Sequence, residues 1–495
     1  MEYERSRTRW THIALYILYV GGVVYLLMNN NRYLYSHKEL RLALAGEHVD
    51  AVSPIPKGTA AAASKGAPTY WTYANPERNG SDISGQTRDK DYVSEWQKPI
   101  LNDVEDGDLS GWGADTSGLY LTGKHPWALA LDPEGEVRWR FRFAQSKVET
   151  GLLEPVLDEK SVYLTKSTGQ IAAVDKADGK LQWKLNLASE IVATPVLIDD
   201  QLWTVIKPLE TELKRLDESS QRTSTKKSKG KNLPPPAQYR FVQLNRNTGE
   251  LVGYSNAFTV NGLTYLTWAR DIKQLLATND NKIHALNLED QKTITTQTMP
   301  DPIKGPAIFA EGKVLMALSS GKIQAWDLAK KGKFEWEVDL DSPPHGAPTY
   351  IPAYQRLSVL TTDGHLHMID LKKAERLWRF QPENRNPNRE IWAGRLSGRF
   401  IEKLGMKWEK KGWTIWTPCS ENRLCIYNPE KGQLLARVPA PGGVLTPPLF
   451  VGKQFYLLTQ ERKGEKRNYA LSRFMDEELF KKKAAKAATD PAANK

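Results

Sequence analysis

The chain has 495 residues, 40% hydrophobic and 26% charged, with 69 basic against 58 acidic side chains and a formal net charge of +11. That length exceeds the usual single core, which repeat architectures escape because each unit contacts only its neighbours. The basic excess raises nucleic acid or acidic lipid as partners, yet much of it lies in Lys226–Lys231, Lys463–Arg467 and Lys481–Lys483, in loops or tails, so solvated segments are the reading and no nucleic acid is expected.

At the N-terminus, Ile13 to Met28 is an uninterrupted apolar or Gly run. Trp10 to Asn30 supplies about the 20 residues that a bilayer core requires. Trp10, Tyr16, Tyr19 and Tyr25 are of the types common at membrane interfaces. A cleavable signal peptide is the rival, with Ala43-Leu44-Ala45 as its cleavage-like site, but that site lies far beyond the apolar run. An uncleaved transmembrane helix within 1–30 is therefore expected. Arg5, Arg7 and Arg9 before it are matched by Arg32, Lys38 and Arg41 after it, so charge does not set its orientation.

Residues 31–90 read as tether and linker, Ser53 to Pro68 being rich in Ala, Ser, Gly and Pro. From there a unit recurs: a short apolar run, a Gly-containing turn, a second apolar run ending in Asp or Asn, another turn, then often Trp. The cleanest copy runs from Ser161 through Asp175 and Gly179 to Trp183. In register stand Asp132, Asp175, Asn245, Asn287, Asp327, Asp370, Asn428 and, more weakly, Ser472. Most steps are 40 to 44 residues, and the longest, of 70, contains a charged, Pro-ended segment at 210–238 that reads as a disordered insertion. A period of about 40–45 belongs to a propeller blade, and the short Val-, Ile- and Tyr-rich runs favour antiparallel strands. The expected fold is all-β, an eight-bladed propeller of four-stranded antiparallel blades over 91–474, with a charged tail at 475–495.

Ala173-x-Asp175-x-x-x-Gly179-x-x-x-Trp183 resembles the tryptophan-docking motif of the quinoprotein-like (PQQ-like) β-propellers. The resemblance covers roughly 68–474. It implies that the indole of one blade packs against the next, and it assigns structural docking roles to Trp139, Asp175, Gly179, Trp183, Trp336 and Trp378. Ala130-x-Asp132 to Trp139 is one residue shorter, Ala325-x-Asp327 to Trp336 one longer, and Asp370 to Trp378 lacks the Gly. The units at Asn245, Asn287 and Asn428 lack the Trp. The last unit passes into the tail without a Trp-bearing strand, while Tyr92 to Ile100, far upstream, resembles one. That segment is expected to complete the eighth blade, with Trp96 in the docking position.

The resemblance raises a quinone-dependent dehydrogenase first, but that class holds its cofactor beneath a ring of two adjacent cysteines, and this chain has only Cys419 and Cys425. His365 and His367 lie two apart and share a strand face, as metal ligands do. His367 also stands three residues before Asp370, an offset filled by His284, Gln324 and Ala172 in other units, which reads as tolerated sheet surface. No Gly-x-Ser-x-Gly elbow occurs. No catalytic, cofactor-binding or metal site is expected, and no cofactor. Cys419 and Cys425 flank a hairpin turn. An odd-length loop places them opposite each other for a disulfide; an even register places them on opposite faces.

The reading is a non-catalytic propeller that binds envelope proteins as an assembly scaffold, similar to family members that serve outer-membrane β-barrel assembly. The resemblance implies a periplasmic domain in a Gram-negative bacterium, here held at the inner membrane through residues 10–30. A quinone-dependent dehydrogenase and a ligand or peptidoglycan-binding sensor are the alternatives.

Overall fold

A computed structural model describes residues 92–101, 109–143, 151–208, 238–259, 264–380 and 397–476, with short breaks in turns, together with 51–54, 69–70 and 481–482. The expected anchor at 10–30 and the insertion at 210–238, apart from Gln238, which begins a strand, lie outside the described residues. Among those described, no helix is long and apolar enough to cross a membrane.

The described residues form strand almost throughout, interrupted by 3-10 turns at Arg270–Ile272 and Pro352–Tyr354. Eight antiparallel sheets follow one another along the chain, with cores at 109–142, 156–186, 189–259, 265–298, 308–339, 349–380, 397–439 and 443–476; they are numbered 1 to 8 in that order. Within a sheet the middle strands are buried on both faces, as in Ser161–Lys166, whereas the outer strand, as in Leu181–Asn186, is largely exposed. Both faces of the middle strands meet neighbouring sheets, which explains their continuous apolar runs.

Each of eight hydrophobic clusters joins two successive sheets. One holds Tyr120, Trp139 and Phe141 of sheet 1 against Leu157, Val162 and Leu164 of sheet 2. Another holds Leu449, Tyr456 and Leu471 of sheet 8 against Trp112, Leu121 and Leu129 of sheet 1, so the series returns on itself. Sheet 8 draws on both ends of the chain: Tyr92–Leu101 pairs antiparallel with Lys466–Asp476 as its outer strand.

Two sequence expectations need correction. Tyr456 lies opposite Arg473 as Tyr163 lies opposite Ala173, so the equivalent of Asp175 is Met475 and not Ser472. The hairpin runs on as strand to Lys463 and from Lys466, through the charged stretch read as loop, and this shifts the register. The tether also ends in structure: Ala51–Pro54 adds antiparallel to the outer strand of sheet 1, and Thr69–Tyr70 to its first strand. Both segments occupy sheet edges, whose open backbone groups accept another strand.

Candidate functional site: the joints between sheets

The recurrent motif builds one joint. On the third strand a small residue, Ala130 or Ala173, lies between a Tyr on the second strand and a Trp on the outer strand; the rows are Tyr120, Ala130, Trp139 and Tyr163, Ala173, Trp183. With only a methyl group between them, the rings approach to 6.0 Å in both sheets. A register shift follows the small residue. Such a bulge inserts one extra residue, which re-aims the Trp and breaks simple alternation.

The re-aimed indoles reach the next sheet. Trp139 Nε1 donates to the carbonyl of Lys176 at 2.9 Å, and Trp183 Nε1 to that of Arg246 at 2.8 Å, each acceptor being the residue after the motif Asp175 or Asn245. Asp175 shapes its turn by accepting from the Ala177 amide, while the Gly179 amide donates to the Asp175 carbonyl. Gly179 has φ +71°, and a Cβ there would lie 2.7 Å from the Trp139 ring. The glycine thus answers two demands, left-handed backbone and close approach of an indole. Trp378 repeats the joint more loosely, with carbonyls of Pro429 and Glu430 at 3.2 and 3.1 Å. Trp336 packs against the apolar cluster shared by sheets 5 and 6, but its indole nitrogen finds no hydrogen-bond partner among the described residues.

The last joint uses other chemistry. Trp96 stands opposite Arg473, which replaces the small residue of the row, and its ring abuts Gly135 of sheet 1. The Arg473 guanidinium lies 5.3 Å from the Trp96 ring, ion-pairs with Glu95 at 2.6 Å and donates to the Pro133 carbonyl at 2.6 Å. The Tyr456 hydroxyl donates to the same carbonyl at 3.0 Å. Pro133 follows Asp132, so this carbonyl is the counterpart of those of Lys176 and Arg246.

Repeats closed in this way match a known family model, described as outer membrane protein assembly factor BamB, over residues 124–229 and 279–397. Over these two stretches the chain resembles the PQQ-like β-propeller family. Among solved structures, quinohemoprotein alcohol dehydrogenase from Comamonas testosteroni is 12% identical, covers 83% of this chain and 81% of its own, and has a TM-score of 0.56. A europium-containing methanol dehydrogenase is also 12% identical, with 83% and 98% covered and a TM-score of 0.56. BamB from Moraxella catarrhalis is 14% identical, with 77% and 99% covered and a TM-score of 0.49. No curated protein matches the chain. At these identities, likeness to solved structures shows the fold alone.

In this PQQ-like chain the joints hold one group that the motif did not reveal. Lys176, in the turn that receives Trp139, sends its ammonium to the Asp115 carboxylate and the Asp158 carbonyl, with both side chains of the ion pair nearly buried. Beside it, Arg138 donates to the Tyr120 hydroxyl at 2.8 Å, and burial raises that hydroxyl to about 12, so it stays protonated. No spacing rule links Asp115 to Lys176 in sequence; the turn of one blade simply meets the first strand of another.

The two histidine rings lie 6.3 Å apart, centroid to centroid, and bond to different partners. His365 Nδ1 lies 2.8 Å from Asp363 Oδ2, and His367 Nε2 lies 3.3 Å from Thr361 Oγ1. Among the described residues, no group of three His, Cys, Asp or Glu is placed to hold a metal ion. Cys425 is buried and disulfide-bonded. The chain's other cysteine, Cys419, falls at a register shift between Pro418 and Ser420, and its side chain lies outside the described residues.

Proposed function

We propose that this protein is a non-catalytic, eight-bladed propeller scaffold that binds envelope proteins during assembly of an envelope complex. It is held at the inner membrane of a Gram-negative cell through residues 10–30, with the propeller in the periplasm. The observation that carries the reading is where the motif side chains go. Trp139, Trp183 and Trp378 bond to neighbouring turns, and Trp96 with Arg473 fastens the two chain ends. The groups that the repeat holds constant build a rigid ring, whose loops and outer edges face partners.

The match to the BamB family model supports the scaffold role. The absence of an adjacent-cysteine pair anywhere in the sequence argues against the quinone dehydrogenase arrangement. The disulfide at Cys425 supports an oxidising compartment. The test is cross-linking and co-purification of the full-length protein from envelopes, alongside dye-linked alcohol and sugar oxidation with added quinone. Stable recovery of envelope proteins without oxidation supports the proposal, and quinone-dependent turnover overturns it. Carbonate extraction and periplasmic protease access test the anchor; soluble protein beginning near Gly46 refutes it.

A further inference from the structure

The outer strands of the blades differ in how well they are protected. An exposed edge invites another strand, and proteins guard against this with charges, prolines and bulges. Seven of the eight outer strands are interrupted by a register shift or paired across one. Most also carry a charge, such as Lys184 in blade 2, Glu335 in blade 5 or Arg437 in blade 7. The outer strand of blade 4, Ile294–Thr298, has the sequence ITTQT with no charge, proline or glycine, and its ladder with the third strand has no shift.

The ladder fixes which backbone groups are open. The Asn287 amide donates to the Thr293 carbonyl and the Met299 amide to the Asn281 carbonyl. Bonded pairs alternate in an antiparallel ladder, so Ile294, Thr296 and Thr298 turn their N–H and C=O groups outward. An outer edge of this ring does accept an antiparallel strand, since Ala51–Pro54 of the chain itself occupies that of blade 1.

We infer that this edge pairs with the same edge of a second copy of the chain, antiparallel about a two-fold axis at Thr296. Ile294 then faces Thr298 of the second copy, so every outward group meets an outward group. Exposed Lys292, just before the strand, falls opposite Pro300 of the other copy, one residue from that copy's partly exposed Asp301. The charges at the two ends are therefore complementary in this orientation. The contact is one short strand pair, so the association is weak and concentration-dependent.

Sedimentation of the full-length protein in detergent tests this. The expected result is a monomer–dimer equilibrium that Thr298→Pro weakens by about tenfold or more, because proline removes an outward donor and leaves the inward ladder bonds intact. Thr298→Lys, which adds a cation one ladder step from Lys292 of the other copy, should do the same and provides a second variant if the proline strand folds poorly. Thr296→Cys should form an inter-copy disulfide at the axis. A monomer at all concentrations, a dimer unaffected by either Thr298 change, or a monomer that binds a synthetic peptide of residues 293–299 without self-associating would each overturn the inference.

Discussion

The Arg473 guanidinium donates to the main-chain carbonyl of Pro133 across 340 positions of sequence. The contact joins blade 8 to blade 1, and the same guanidinium pairs with Glu95 on the strand supplied by the N-terminal side. Arg473→Met should therefore lower stability by about 3–5 kcal/mol, the usual effect of leaving a buried partner charge unpaired. Arg473→Lys should recover only part, because an ammonium cannot reproduce the planar fork. Thermal and urea midpoints check both; a wild-type midpoint for Arg473→Met would remove the clasp from the account of ring closure.

Trp139 and Trp96 occupy equivalent rows but bond differently. The Trp139 indole N–H has a carbonyl partner at 2.9 Å, whereas the Trp96 indole nitrogen is buried without one among the described residues. Replacement by Phe should thus lower stability more at Trp139 by about 1 kcal/mol, the net value of a typical hydrogen bond. Truncation of Trp183 to Ala should cost about 3–5 kcal/mol as a large ring leaves its site. Equal effects of the two Phe variants would show that the N–H contributes nothing to docking.

The turns after the motif Asp or Asn require left-handed backbone, and blades 4 and 6 meet that requirement without glycine, blade 4 with Gln291 at φ +59°. Ala374 of blade 6 has φ +54°, where other docking turns place Gly179, Gly249 or Gly432. Ala374→Gly should stabilise the protein by up to about 1 kcal/mol by relieving the Cβ clash of the left-handed region. Gly179→Ala should destabilise it, since the new methyl would press into Trp139. Paired melting curves decide, and a stabilising Gly179→Ala would contradict the joint geometry.

Burial pushes the imidazoles of His284 and His367 down from 6.5 to about 4, with nearby Lys282 acting in the same direction on His284 and Arg376 on His367. Between pH 6.5 and 4 the unfolded chain binds these protons and the native state does not, so stability falls as pH is lowered through that window. His367→Gln, with the residue that blade 5 uses at Gln324, should flatten the slope. Melting points from pH 7.5 to 4 provide the check. An unchanged slope in the double variant with His284→Gln would assign the acid sensitivity to other groups.

The sequence by itself determined the repeat, the strands and the motif residues of the best-matched joints. A period near 40, turns at Asp175 and Gly179 and an indole at Trp183 follow from local chemistry: glycine for left-handed φ, Asp for the turn amide, apolar runs for strands buried on both faces. Even Tyr92–Leu101 was legible as a misplaced outer strand, because its Trp stood in a motif with no unit of its own. Tertiary structure alone decided what occupies each row. Arg473 stands where other blades have Ala, and the register of blade 8 moved to Met475, because a hairpin's pairing is set by strands running through a charged stretch that composition marks as loop. In two of the three units that lack the outer Trp, Trp203 and Trp416 fill the row from the second strand, opposite Gln243 and Ile426; in the third, Leu276 stands there opposite Ala285. Asp115 and Lys176 meet only after two blades are packed together. Spacing along a chain encodes the backbone of one blade; which side chains fill the gap between two blades depends on volumes and charges contributed by both.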